Sequence, residues 1–64
     1  MNYVVTWQQE SARYYFGSMT REESVFHHNL EKARRFSFIA DACGAVADLK
    51  WFFPRECYAI VAVV

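Results

Sequence analysis

Hydrophobic and polar positions alternate with a period of two along the first part of the chain, which is the pattern of a β-strand with one apolar face. Residues 2–8 follow this pattern, and residues 12–16 follow it again after a short polar break at residues 9–11. The two runs and the break predict a β-hairpin. Residues 17–18 are predicted to end or bulge the second strand, and residues 24–27 to form a short third strand after a polar turn.

From residue 29 onward the spacing of apolar residues becomes helical. Asn29 is a predicted N-cap for one or two helical turns, because its side chain can accept hydrogen bonds from the amides that follow. Ser37 is a second predicted cap, for a principal helix over about residues 38–50. Gly44 costs this helix about 1 kcal/mol relative to alanine, which predicts a close approach to the sheet there. The predicted core-facing stripe consists of Phe38, Ala42, Ala45, Val46 and Leu49.

Pro54 ends the predicted helix, because its ring disfavours helical geometry at the preceding residue. Residues 56–64 then form a final strand with apolar side chains on both faces, which predicts a central strand covered on both sides. The order of elements predicts the α+β class, with an antiparallel sheet of three to four strands, one main helix on one face, and the last strand pairing beside the first. Residues 1–64 are expected to form a single small domain.

Composition narrows the function classes. The chain has 7 basic and 7 acidic residues, so a general electrostatic attraction to nucleic acid or to an anionic membrane is not expected. The longest apolar run covers residues 58–64, far short of the roughly 20 residues of a membrane-spanning helix. The first residues lack the pattern of a secretory signal, and we therefore expect a cytoplasmic protein. Cys43 and Cys57 are expected as small buried hydrophobic residues.

No residue pattern indicates catalysis, a metal site or a cofactor. His27 and His28 are neighbours in a predicted strand, so their side chains point to opposite faces and cannot hold one metal ion together. Glu22 and Glu23 lie in a polar turn, where a solvated pair is expected. A glycine-rich phosphate loop and a nucleophile elbow are both absent from the sequence. We therefore expect a non-enzymatic protein without a cofactor.

The chain carries more large apolar side chains than one small core can hold. Its 2 Trp, 4 Tyr and 6 Phe fall on both sides of the predicted strands, whereas a single helix covers one face of the sheet. A contiguous exposed apolar patch usually marks an interaction surface, although half-exposed rings are also common in small domains. Aromatic and arginine side chains are enriched in binding hot spots. The predicted partner contacts are Tyr3, Trp7, Arg13, Tyr15, Arg34 and Arg35.

A basic cluster formed by Lys32, Arg34 and Arg35 lies next to Phe36. It suits an acidic protein surface or phosphate groups. Cations beside a ring also suit single-stranded nucleic acid, whose bases stack on aromatic side chains. A solvated face without a partner is the third interpretation.

The layout of the chain resembles that of very small phage and prophage proteins. The resemblance consists of an N-terminal hairpin, the step from Ala33 to Phe36, an alanine-rich helix and an apolar last strand. Several such proteins bind and disable host machinery, among them anti-CRISPR proteins and small inhibitors of host RNA polymerase. The resemblance implies a protein of the host cytoplasm that binds and inhibits or modulates a bacterial host or defence protein complex. The alternatives are a homodimer or larger homo-oligomer that covers the open sheet face with a second copy, and a single-stranded nucleic-acid binder.

Overall fold

The computed structural model describes residues 1–55 and 57–63, which form a four-stranded antiparallel sheet with one long helix on one face. The strands are β1 (Asn2–Gln9), β2 (Ala12–Met19), β3 (Ser24–His27) and β4 (Tyr58–Val63), and the helix α1 spans Ile39–Phe52. Their order across the sheet is β3-β2-β1-β4. The predicted α+β class is confirmed, and so is the return of the last strand beside the first.

The hairpin and the bulge also agree with the prediction. Gln9 pairs with Ala12 across a two-residue turn, in which Glu10 adopts the left-handed region with φ of 55°. Positive φ values suit such turns because they match the twist of the two strands. The register between β2 and β3 shifts after Phe16, so an extra residue bulges out of β2 at the predicted place.

The last strand lies at an edge of the sheet, so its predicted central position is wrong. β4 pairs with β1 on one side, and its residues Ala59 and Ala62 are exposed. Apolar side chains on both faces are typical of a buried strand, but here they belong to an edge strand. Cys57 precedes the strand, and the predicted strand residues Glu56 and Val64 lie outside the described residues.

A short extended segment separates β1 from β2 in the half of the sheet away from the hairpin. β2 pairs with β1 only over the four residues nearest the turn. Beyond them Phe36 pairs with Tyr3 through two reciprocal backbone hydrogen bonds, each 2.8 Å long. The backbone N–H of Arg34 donates to the carbonyl of Phe16 on β2, also at 2.8 Å. Residues 34–36, called the inserted segment below, therefore bridge two strands that splay apart.

One of the two predicted helix caps is present. The side-chain oxygen of Asn29 accepts from the N–H of Glu31 at 2.9 Å and caps a 3-10 turn over Leu30–Lys32, as predicted. Ser37 does not cap α1: the helix starts at Ile39 after Phe38, without a side-chain cap hydrogen bond. Ser37 therefore lies one position too early.

The core lies between α1 and the sheet, and its buried residues are Val5, Phe16, Ala42 and Leu49. Half-buried residues surround it, namely Tyr3, Met19, Phe26, Phe36, Ala45, Val46, Phe53, Tyr58 and Ile60. These two sets include every predicted stripe residue except Phe38, which is 69% exposed. Phe38 precedes the helix with extended backbone angles, so the helical periodicity does not apply to it.

Two further predictions are wrong: the close approach of Gly44 to the sheet, and the burial of the two cysteines. A Cβ atom built on Gly44 would meet nothing within 4 Å, so Gly44 does not serve a close approach to the sheet. It lies about 200° around the helix from the buried Ala42 and therefore faces away from the sheet. Cys43 and Cys57 are both exposed free thiols instead of buried hydrophobic residues.

Leu49→Ala and Phe38→Ala test where the core ends. We expect Leu49→Ala to lower the free energy of unfolding by about 2–5 kcal/mol, because it leaves a cavity at a fully buried position. Phe38→Ala should change it by no more than about 0.5 kcal/mol, since that ring is mostly in solvent. Urea denaturation measures both values, and a comparable loss in the two variants would place Phe38 in the core.

Tyr58→Phe tests the bond that ties β4 to the end of α1. The hydroxyl of Tyr58 donates to the carbonyl of Phe53 at 2.8 Å. Burial raises the pKa of the Tyr58 phenol above 10.0, and the charge of Arg55 opposes the shift in part. We expect Tyr58→Phe to lower the free energy of unfolding by about 1 kcal/mol at neutral pH.

The pH dependence of this difference follows from the raised pKa. A group whose pKa is higher in the folded state stabilises the fold below its unfolded pKa, and that stability is lost as the pH rises through the folded value. The difference between the wild type and Tyr58→Phe should therefore shrink above pH 10.0. Urea denaturation at neutral and alkaline pH measures it, and a difference that stays constant would contradict the assignment.

Candidate interaction surface

The sheet face opposite α1, called the helix-free face below, carries every second residue of each strand. Tyr15 pairs with Thr6 on one side and with His27 on the other, and Thr6 also pairs with Ala59, so four side chains form a row across the sheet. Val4 and Val61 form the next pair. By the same alternation the helix-free face also carries Asn2, Gln8, Arg13, Val25 and Val63.

The inserted segment adds Arg35 to this face. Phe36 pairs with Tyr3, and both side chains pack on the side of α1. By alternation the preceding residue, Arg35, points to the opposite side, next to Val4. Val4 is 0% exposed although α1 does not cover this face, and Val61 pairs with it on β4.

His27 fills the gap that the bulge leaves in the helix-free face. A Cβ atom on Gly17 would lie 2.6 Å from Nε2 and 2.8 Å from Cδ2 of His27. These distances are too short for any non-bonded carbon contact, so the imidazole ring lies directly across the glycine backbone. Glycine at this position is explained by the close approach of the ring.

Charge is distributed unequally between the two sides of the sheet. Among the described residues, the helix-free face carries the exposed side chains of Arg13 and Arg35 and no carboxylate at its strand positions. Arg13 is oriented by a hydrogen bond from Nε to the side-chain oxygen of Gln8, 3.4 Å long. On the other side, Asp41 and Asp48 project from α1. That side also carries Arg34, Lys50 and Arg55, so it has charges of both signs, whereas the strand positions of the helix-free face carry cations only.

The six predicted contacts separate onto the two faces. Arg13, Tyr15 and Arg35 share the helix-free face, whereas the other three lie on the side of α1. These three make intramolecular contacts: Tyr3 packs on the core, the ring of Trp7 stacks on Tyr14 at 5.3 Å, and the Arg34 guanidinium lies 5.4 Å from the Phe36 ring centre. The structure therefore brings half of the predicted contacts together.

Trp7 belongs to an aromatic cluster on the helix side of the sheet. The guanidinium of Arg55 lies 4.2 Å from the centre of the Trp7 ring, and Phe26 approaches the same ring edge-on at 5.6 Å. His28 contacts Tyr14 at 4.6 Å, which places the two neighbouring histidines on opposite faces. The Trp7 ring, which sequence reasoning assigned to a partner, therefore already contacts a cation of the same chain.

Sequence reasoning missed His27 as a member of the helix-free face. The signal was present in part, because Gly17 in a predicted bulge indicates a close approach by some neighbouring group. The identity of that neighbour depends on the register between β2 and β3, which the sequence pattern does not specify.

A groove of about 500 Å³ opens on the other side of the sheet, between α1 and β2. Its lining includes the apolar side chains of Phe16, Met19 and Phe36 and the charged side chains of Arg34, Asp41 and Asp48. Pockets of this volume can hold small ligands. Its charges are of both signs, so the groove differs in chemistry from the helix-free face.

Residues 1–55 and 57–63 contain no group of three or more His, Cys, Asp or Glu side chains that could hold a metal ion. In the same residues, α1 and the 3-10 turn are both too short to cross a membrane. Comparison of the chain with protein-family models, with curated proteins and with solved structures finds no match.

Gly17→Ala tests the packing of His27 on the bulge. The added methyl group would occupy the position of the imidazole, so we expect a loss of about 1 kcal/mol in the free energy of unfolding. In a His27→Ala background the same change should be neutral or stabilising, because alanine restricts the unfolded chain more than glycine does. Urea denaturation of the four proteins of this cycle measures the coupling, and an equal cost in both backgrounds would contradict the contact.

Proposed function

We propose that this chain is a non-enzymatic binding protein whose helix-free face docks on an acidic surface of a partner protein. The observation that carries the proposal is the half-exposed ring of Tyr15 on a face that also holds the guanidinium groups of Arg13 and Arg35. Tyrosine and arginine dominate binding hot spots, because each combines a large contact area with directional hydrogen bonds. Carboxylates on the partner would complement the two cations.

The floor of the helix-free face supports the same proposal. Val4 and Thr6 are buried at 0% and 3% exposure, and Val61 and Val63 are half-buried around them. Val4 and Thr6 lie on β1, which is hydrogen-bonded on both of its sides, so the shape of this floor is fixed before a partner arrives. A preformed surface lowers the entropy that is lost on binding.

Docking would act by covering a surface that the partner needs for another contact. A domain of 64 residues can cover about 800 Å² of a partner, the area of a standard interface on one side. The resemblance to small phage proteins suggests a bacterial host or defence complex as the target and inhibition or modulation as the result. Residues with a catalytic role are not needed for this mode of action.

A second candidate function is the binding of single-stranded nucleic acid. A half-exposed tyrosine ring on an open sheet can stack on a base, and neighbouring arginines can contact phosphates. Tyr15, Arg13 and Arg35 supply these groups on the helix-free face. The net charge of zero favours the protein partner, because nucleic-acid binders rely on an excess of positive charge.

Variants of the helix-free face test the proposal. The immobilised protein is used to capture a partner from bacterial lysate, and the purified partner is then titrated. We expect Tyr15→Ala to weaken binding at least about tenfold, because it removes the central ring. Arg35→Glu should weaken it further by placing a carboxylate against the acidic surface. Lys50→Glu, which changes the charge equally on the opposite side of the domain, should leave the affinity unchanged.

Two measurements make the outcome decisive. Circular dichroism and thermal melts establish that the variants remain folded. Titration with a single-stranded oligonucleotide at low salt tests the second candidate: binding that Arg35→Glu abolishes would reassign the face to nucleic acid. Equal loss of partner binding in Lys50→Glu and Arg35→Glu would show that the partner does not contact the helix-free face.

A further inference from the structure

β4 leaves one edge of the sheet open. The N–H of Gln8 on β1 donates to the carbonyl of Cys57 at 3.3 Å. In an antiparallel pair every second residue points its N–H and C=O groups toward the partner strand, so Ala59, Val61 and Val63 also point theirs toward β1. The alternate residues of β4, Tyr58, Ile60 and Ala62, therefore direct N–H and C=O groups away from β1. Among the described residues, no strand pairs with these groups.

This edge lacks the features that normally prevent strands from pairing between molecules. Natural edge strands carry lysine, proline, a bulge or an inward-pointing charge, or are very short. β4 has the sequence YAIVAV, six apolar residues in regular register with β1. The opposite edge differs, since β3 has only four residues and begins and ends with the polar Ser24 and His27.

We propose that β4 pairs antiparallel with β4 of a second copy, about a two-fold axis at Ile60, so that two sheets join into one. With the axis at this residue, Ile60 opposes its own counterpart, and Tyr58 of each copy opposes Ala62 of the other. All outward N–H and C=O groups of the three residues then find partners. A two-fold interface needs a surface that is complementary to itself, and this register places the large side chain of Tyr58 beside a small one.

The side chains on the other face of the joined strands fit the same register. Ala59 of each copy lies opposite Val61 of the other, so both faces of the contact are apolar. Cross-strand apolar pairs stabilise a sheet, whereas like charges placed opposite each other would destabilise it. β4 carries no charged side chain. A second copy of β4 is therefore a better occupant of this edge than a charged peptide.

The position of α1 makes the helix part of the same contact. α1 packs across β1 and β4, and Asp41 and Asp48 line the groove on its β2 side. Cys43 and Lys50 lie about 200° around the helix from these two carboxylates and therefore face the β4 edge. Ile39 lies on that flank as well and is 53% exposed. This flank therefore places the exposed apolar side chain of Ile39, together with Cys43 and Lys50, beside an open strand edge.

Sheet geometry sets the distance between the two helices. Neighbouring strands are about 4.8 Å apart, so a helix above the line between β1 and β4 lies about 5 Å from an axis just outside β4. Two such helices are then about 10 Å apart, which is the usual distance for packed helices. Pairing of the strands thereby buries the exposed flank of Ile39 without a change in either domain.

The contact is small, so we expect a dimer that dissociates on dilution. It comprises about nine residues on each side, fewer than the roughly 20–30 of a standard interface. The two-fold axis is perpendicular to the sheet and leaves both helix-free faces open on the same side. The inference is therefore independent of the proposed function.

Ala62→Pro and Ala62→Ser test the pairing. Analytical ultracentrifugation of the wild type from about 1 µM to about 1 mM should show a shift from monomer to dimer. Proline at residue 62 removes an outward N–H without breaking the ladder to β1, so the dissociation constant should rise at least about tenfold while the fold is retained. Serine keeps the N–H group and should leave the dissociation constant near that of the wild type.

Ile39→Lys provides a test that does not alter the strand. It places a charge on the exposed flank of α1, so it should also raise the dissociation constant at least about tenfold in a folded domain. A monomer throughout the concentration range would overturn the inference. A dimer that is unaffected by Ala62→Pro and Ile39→Lys but lost in Tyr15→Ala would also overturn it, because the copies would then meet through the helix-free face.

Discussion

Two hydrogen bonds between Tyr3 and Phe36 join parts of the chain that are far apart in sequence, and most of the arrangement depends on them. They place the inserted segment between β1 and β2, so that the ring of Phe36 enters the core. The same pairing puts Arg34 on the side of α1 and Arg35 on the helix-free face. It also fixes the point from which the chain leads into α1. The chemistry of both sides of the domain therefore follows from one backbone contact.

A single helix cannot cover a four-stranded sheet, and this constraint explains the distribution of apolar surface. α1 lies over β1 and β4, which leaves the groove above β2 on one side, and it does not cover the helix-free face on the other. The outer side of α1 carries small residues and ends at Trp51, which is 81% exposed. The domain thus buries few residues fully, as a chain of this length must. The remaining apolar surface is divided among the β4 edge, the helix-free face and the helix.

Local patterns predicted the local features of this fold. Alternation of apolar and polar residues identified the strands, Asn29 identified the 3-10 turn, and Gly17 identified the bulge. Each of these features depends mainly on residues that are close in sequence. The edge position of β4 was not predictable from its apolar faces, since burial and an open apolar edge produce the same pattern. Phe38 was wrongly assigned to the core, because the helical spacing of apolar residues continues one residue upstream of Ile39, where α1 begins.

The candidate site could be predicted only in part, for a related reason. Tyr15 and Arg13 follow from strand alternation, whereas the separation of Arg34 from Arg35 depends on the pairing with Tyr3. The position of His27 across Gly17 requires the register of β3. Long-range pairing of this kind leaves no periodic signal in the sequence, so residue types could be proposed but not the face on which each lies.

The inserted segment also determines the order in which the sheet can form. A hairpin can close from its turn within about 1–10 µs, but here β1 and β2 can pair directly only over the four residues nearest that turn. The other halves of these two strands are joined only when residues 34–36 return and fit between them. Non-local contacts slow folding because the entropy of loop closure is lost before they form. The arrival of Phe36 at Tyr3 should therefore be a slow step of folding, whereas the hairpins β1-β2 and β2-β3 can close locally.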